Sequence, residues 1–215
     1  MPGRGEGPVP VHPLWRPFAP YANAARQGLR VASRQTPPGG IRPYSAQWPR
    51  QYRELHDILL ACVPEQVVAV QHVGSTAVPG LLAKPVIDID LTVPDVEDEP
   101  AYLPGLEAAG FRLIFRDDVA GDPHRHLTFP APNANLHVWS PGACEPRRHA
   151  LFTQHLRTHP EDRGRYAAAK QAARAAPGAG RYNDLKAATV YDIYERAFLA
   201  DPRHPHVHRP RPDPG

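Results

Sequence analysis

Asp88 and Asp90 stand one residue apart in the run PVIDIDLTV, which is otherwise apolar. If that run is a β-strand, both carboxylates project from one face while Ile87, Ile89 and Leu91 project from the other. Like charges this close repel, and burying an unpaired carboxylate is costly, so such a pair calls for a cation. Mg²⁺ suits the position, because it commonly takes one or two carboxylates and completes its shell with water and phosphate oxygens. Upstream, the segment HVGSTAVPG supplies what a phosphate needs. Gly74 permits close backbone approach, successive amides of a tight turn form an anion nest, and the hydroxyls of Ser75 and Thr76 add donors. Twelve residues separate Ser75 from Asp88, enough for a loop and a return along a neighbouring strand. A phosphate in the nest, with a metal ion between it and the aspartates, is the geometry of nucleotide-dependent group transfer.

The elements that must hold these groups follow from periodicity. In SAQWPRQYRELHDILLACV, the residues Trp48, Tyr52, Leu55, Leu59 and Cys62 recur every three or four positions. This is one face of an amphipathic helix, with Ser45 as N-cap and Pro49 in the first turn. EQVVAVQHV reads as a strand leading into the Gly-Ser turn, and PVIDIDLTV as a second. DVEDEPAYLPGLEAAG reads as a short acidic helix, interrupted by Pro104 and stopped by Gly110. FRLIF is a third strand, and HRHLTF with ANLHVW an antiparallel pair; Asp117, Asp118 and Asp122 fall in the loop before that pair. Three helical stretches follow: RRHALFTQHLRTH, DRGRYAAAKQAARAA, and YNDLKAATVYDIYERAFLA with Asn183 or Asp184 as N-cap. Before residue 45 only YANAARQGLRVA hints at helix. The order predicts an α/β (α+β) fold, a mixed sheet with flanking helices and a C-terminal helical bundle.

Composition sets the boundaries. Of 28 prolines, ten lie in residues 1–50 and five in 201–215. Residues 1–50 carry seven Arg against Glu6, so the chain's net charge of +3 is a property of the ends, and residues 51–200 are net negative. We therefore expect a Pro/Arg-rich, disordered arm over 1–43, a folded domain over 44–200 (sheet core 44–140, helical part 145–200) and a disordered tail over 201–215. A basic excess confined to such arms argues against a nucleic-acid surface. His204, His206 and His208 in the tail could chelate a metal, although a solvated Pro-rich tail explains them as well. Only Cys62 and Cys144 are present, with no C-x-x-C, and no apolar run reaches membrane-spanning length; a cytoplasmic protein with no membrane partner is expected.

The Gly-Ser turn followed by an Asp-x-Asp strand resembles the nucleotidyltransferase superfamily. HVGSTAVPGLLAKPVIDID is more closely similar to the signature of the GrpB family, and the resemblance runs from about Tyr44 to Leu199, through NLHVW, LFTQHLRTHP, RYAAAK and RYNDLK. It implies a nucleotidyltransferase-like sheet, Mg²⁺ (or Mn²⁺) as cofactor, an NTP as substrate or ligand, and a small-molecule acceptor. GrpB-like domains are also found fused to the kinase that completes coenzyme A synthesis. Carried over position by position, Gly74 and Ser75 match the phosphate-holding pair and Asp88 and Asp90 the metal ligands. Lys84, Arg157, Lys170 and Lys186 match basic positions able to hold phosphates. His137 matches the last His of a His-x-His strand in which Asn135 replaces the first. Gln71 stands where an acid is usual, and Thr153, Gln154 and His155 replace an Arg-Asp-Tyr run.

Active nucleotidyltransferases add a third carboxylate from a neighbouring strand, and here that strand offers Asn133, Asn135 and His137. Either His137 or one of Asp117, Asp118 and Asp122 supplies the base, or the domain is a non-catalytic nucleotide-binding or sensing module; both readings stay open. A zinc hydrolase site built from His72, His124, His126 and His137 is a third, since His124 and His126 would share a strand face. A Walker loop is excluded because Leu81 and Leu82 follow Gly80, and VGSTAVPG is not a hydrolase Gly-x-Ser-x-Gly elbow.

Overall fold

The computed structural model describes residues 9–19, 28–175 and 182–212, with the backbone alone at 182–184. The chain forms two compact units, Arg26–Thr158 and a second made of Met1–Ala25 with His159–Gly215.

The first unit is built on a sheet of six strands among the described residues: β1 Gly28–Arg30, β2 Ala69–Val73, β3 Ile87–Thr92, β4 Arg112–Val119, β5 Asp122–Phe129 and β6 Ala134–Trp139. Their spatial order is β1-β4-β5-β6-β3-β2. β3 and β6 run parallel, and every other neighbouring pair is antiparallel. Among the described residues, three α-helices belong to this unit: α1 Trp48–Cys62, α2 Glu99–Ala108 and α3 Cys144–Thr158.

Alternation along the strands separates apolar from polar chemistry. Ile87, Ile89, Leu91, Leu127, Leu136 and Val138 point to one face, where Trp48, Leu55 and Leu59 of α1 and Tyr102 and Leu106 of α2 bury them. Each such side chain contributes roughly 1.5–3 kcal/mol by leaving water. The opposite face carries Asp88, Asp90, Asn135, His137, Trp139, His124 and His126. The apolar core thus anchors a strand whose other face carries polar side chains, Asp88, Asp90 and Thr92.

Several elements differ from the sequence reading. β4 continues through Asp117 and Asp118, so these lie not in a loop but in a hairpin with β5, turned by Ala120 and Gly121 at positive φ. The polar half of β4 escapes an apolar-run criterion because its buried residue, Asp117, faces the polar side of the sheet. α2 runs straight through Pro104, whose missing N–H affects only the carbonyl of Pro100 in the first turn. The N-cap of α1 is Gln47; Ser45 instead accepts the Gln47 amide at 3.2 Å. Of the helix hinted at over 21–32, Gly28–Arg30 is strand β1, and 20–27 lie outside the described residues.

In the second unit, α4 Pro160–Ala175 packs on α5 Tyr182–Ala200, whose start at Tyr182 precedes both suggested caps. Asp162 of α4 accepts the Arg196 guanidinium at 2.8 and 2.9 Å. Buried Glu195 of α5 accepts Trp15 Nε1 at 2.7 Å and the Arg209 amide at 2.7 Å, joining residues before and after the helices. His12, Asp201 and His204 approach one another closely here. The Leu14 amide donates to His12 Nδ1 at 3.1 Å, so Nε2 carries the proton and donates it to Asp201 at 3.3 Å. That makes the trio a hydrogen-bonded clasp rather than a ligand set. Among the described residues no helix is long and apolar enough to cross a membrane.

Candidate functional site

β2 ends at Val73, whose register partner on β3 is Asp88, so the chain enters the Gly-Ser turn beside the first carboxylate. Gly74 adopts φ 70° and ψ −165°, and Ser75–Ala77 make a single 3-10 turn. A Cβ added to Gly74 would lie 2.5 Å from Asp88 Oδ2. Glycine is thus demanded twice, by a backbone region closed to other residues and by the carboxylate packed against it. Thr76 is buried; its hydroxyl donates to the Val86 carbonyl at 3.3 Å and accepts from His72 Nε2 at 3.0 Å. Arg157 of α3 donates to the Ala77 carbonyl at 3.0 and 2.8 Å. His72 stacks on Tyr52 at 4.6 Å. Burial, and secondarily Arg157, lower its pKa to about 4, so it stays neutral at pH 7. Lys84, half-buried, follows Ala83, which bridges to Arg42 just ahead of β3.

Asp90 is 2% exposed. Its Oδ1 accepts Trp139 Nε1 at 3.0 Å and its Oδ2 accepts His149 Nδ1 of α3 at 2.8 Å. Glu145, one turn before His149, lies 3.6 Å from its Nε2. Burial disfavours a charged ring at His149, but the Asp90 carboxylate, with Glu145 and Asp88, outweighs it and raises the pKa above the ordinary imidazole value. Asp88 Oδ1 accepts Asn135 Nδ2 at 2.6 Å. Asn135 and Asn133 in turn accept the guanidinium of Arg34, which is pulled below its ordinary pKa by burial while the Asp88 charge opposes that shift. The chain therefore supplies part of the counter-charge itself, through Arg34 and, whenever its ring is protonated, His149.

Across β6 and β5 a row of rings continues from Asp90. His137 is its register partner, and His126 pairs with His137. His126 and His137 stack at 4.7 Å, and His124 stacks on Trp139 at 4.2 Å. His124 joins Asp117 at 2.7 Å and His137 at 3.0 Å. Asp118 accepts the Gly121 amide at 2.6 Å, and Asp122 accepts the Cys144 amide at the start of α3 at 2.8 Å.

Gly74, Ser75, Thr76, Lys84, Asp88, Asp90, His137 and Arg157 all belong to this unit, whereas Lys170 and Lys186 lie on α4 and α5 of the other. Lys170 is buried there, 4.6 Å from the Tyr166 ring centroid. The four-histidine arrangement is not formed: His72 turns to the α1 side of the sheet, and His124 and His137 face each other at hydrogen-bond distance. Sequence reasoning missed His149, Arg34 and the pairing of Asp117 with His124. His149 lies 59 residues from Asp90, and Arg34 lies 101 residues from Asn135, so no local spacing signals either.

The fold and site define a mixed-sheet α/β protein with a Gly-Ser turn laid against a two-carboxylate strand. The chain belongs to the GrpB family, whose family model, described as GrpB protein, matches residues 40–196. It is 37% identical over 158 residues to a UPF0157 protein of Halalkalibacterium halodurans, covering 72% of this chain and 80% of that one. A UPF0157 protein of Streptomyces coelicolor is 37% identical over 164 residues, covering 75% and 85% respectively. Among solved structures, the conserved protein GrpB from Enterococcus faecalis superposes with a TM-score of 0.64 at 28% identity, over 74% of this chain and 96% of that one.

Proposed function

We propose that this GrpB-family domain binds a nucleoside triphosphate with Mg²⁺ and transfers its nucleotidyl group to a small, hydroxyl-bearing acceptor. The observation that carries this reading is the contact between Gly74 and Asp88, which brings a turn of backbone amides and a pair of carboxylates to one place. The donor set fits the ion: Asp88 and Asp90 offer hard oxygen ligands on one sheet face, and both would hold it. When bound, Mg²⁺ draws charge from the phosphate oxygens and orients them. The amides of Gly74 and Ser75, with the Ser75 hydroxyl, receive the phosphates; Arg157, bonded to the Ala77 carbonyl, adds positive charge beside the turn, and Lys84 would add a second cation. Thr76 locks the turn through Val86 and His72. His137 accepts the proton of the acceptor hydroxyl.

A second reading, a nucleotide-binding or sensing module without turnover, draws on a specific observation. Asn135 sits beside Asp88 where an acid could have stood, and both Asp90 oxygens are engaged by the chain's own donors. Incubating the full chain with each NTP, Mg²⁺ and a panel of hydroxyl acceptors separates the two. Pyrophosphate release that Asp88→Asn abolishes supports transfer. Metal-dependent binding with no pyrophosphate from any acceptor favours the module, and failure to bind any triphosphate contradicts both.

A further inference from the structure

Asp117 on β4 has no exposed side-chain surface, and His124 opposite it on β5 retains 2%. Gly28 of β1 makes that burial possible, since a Cβ there would come within 2.3 Å of Asp117 Cβ. A carboxylate only accepts, so the proton shared with Asp117 at 2.7 Å sits on His124 Nδ1. In neutral His124 the lone pair is then on Nε2. His137 Nδ1, 3.0 Å away, must donate to it. One nitrogen of His137 is thereby committed as a donor, and the lone pair is left on Nε2.

We infer that Asp117 and His124 are positioning residues that fix the Nδ1–H tautomer of His137, so that Nε2 is the nitrogen presented as proton acceptor. The base that the two-carboxylate strand lacks is, on this view, a three-residue chain crossing β4, β5 and β6, with its carboxylate at the far buried end. The stack of His124 on Trp139 and of His126 on His137 holds the rings in the orientation the hydrogen bonds need. In use, the acceptor's proton passes to His137 Nε2 and the hydroxyl oxygen keeps the electron pair with which it attacks. His137 Nδ1 can then pass its own proton to His124, whose cationic ring faces the Asp117 carboxylate. The inference rests on the proposed transfer reaction only for what His137 does, and its test therefore reads the hydrogen-bond chain apart from turnover.

The experiment records ¹⁵N–¹H correlation spectra of the full chain with labelled histidines, at a pH above imidazole titration. The wild type should show His137 with a pyrrole-type Nδ1 and a pyridine-type Nε2. Asp117→Asn and His124→Phe should both shift His137 towards the opposite tautomer. His124→Gln should preserve the wild-type signature, because its amide oxygen accepts from His137 while its NH₂ donates to Asp117. If turnover is measured, Asp117→Asn should lower kcat by about 100- to 10,000-fold with KM little changed. A wild-type His137 protonated on Nε2, or a tautomer indifferent to Asp117→Asn and His124→Phe, overturns the inference. A chain that shows the signature and its loss in the variants, yet processes no triphosphate, upholds the positioning chain and contradicts nucleotidyl transfer alone.

Discussion

Replacing Gly74 by alanine should cost this protein both stability and ligand. The residue sits at φ 70° and ψ −165°, a region populated almost only by glycine, and forcing another residue into it costs about 1–3 kcal/mol. The new Cβ would also meet Asp88 Oδ2 at 2.5 Å and Asp88 Cβ at 3.1 Å. The carboxylate must then swing away from Asn135, which it now meets at 2.6 Å, and losing a hydrogen bond to a charged group adds about 1.5–3 kcal/mol. Gly121→Ala provides the control, because Gly121 has φ 93° but nothing within 4 Å of its would-be Cβ. It should bear only the backbone cost, about 1–2 kcal/mol. Urea unfolding of both variants should show Gly74→Ala less stable than Gly121→Ala by about 2 kcal/mol. Calorimetry with Mg²⁺ and an NTP should show binding weakened at least about tenfold in Gly74→Ala and unchanged in Gly121→Ala. Equal urea midpoints for the two, with wild-type nucleotide affinity in Gly74→Ala, would refute the idea that turn and carboxylate form one site.

Other perturbations reach different parts of the structure. His72 has its pKa lowered from 6.5 to about 4, so the unfolded chain takes up a proton before the folded one does. Stability should fall by up to about 3 kcal/mol as the pH drops through that window, as read from urea midpoints, and His72→Gln should flatten the dependence; equal acid sensitivity in the variant would contradict this. Trp139→Phe removes the donor 3.0 Å from Asp90 Oδ1 and should cost about 1.5–3 kcal/mol in the same assay, whereas a loss under about 0.5 kcal/mol would show that the bond contributes little. Leu59→Ala, at a fully buried position of α1, should cost about 2–5 kcal/mol, while Leu60→Ala, at 42% exposure, should stay near about 0.5 kcal/mol. Similar losses for the two would mean that α1 is packed on the sheet by a different face.

What could be read from the sequence was what is encoded locally. Asp88 and Asp90 alternate with Ile87, Ile89 and Leu91, and that period alone places both carboxylates on one face. The turn at Gly74 precedes them by a short, countable stretch, so its meeting with β3 could be anticipated from loop length. The compensating groups could not. His149 comes to Asp90 from a helix, Arg34 from a Pro-rich segment that composition alone assigns to an arm, and Asp117 from a strand whose polar end looks like a loop. On a sheet with one polar face, residues that look like turn or surface chemistry are the ones that line the site, and only the pairing of β4 with β5 shows which of them turn inward.

The most direct test is a crystal of the full chain soaked with Mn²⁺ and a non-hydrolysable NTP analogue, examined by anomalous scattering. A manganese peak in contact with both Asp88 and Asp90, with the triphosphate lying along the amides of Gly74 and Ser75, is the expected result. A nucleotide bound away from that turn, or manganese that leaves both carboxylates untouched, would contradict it.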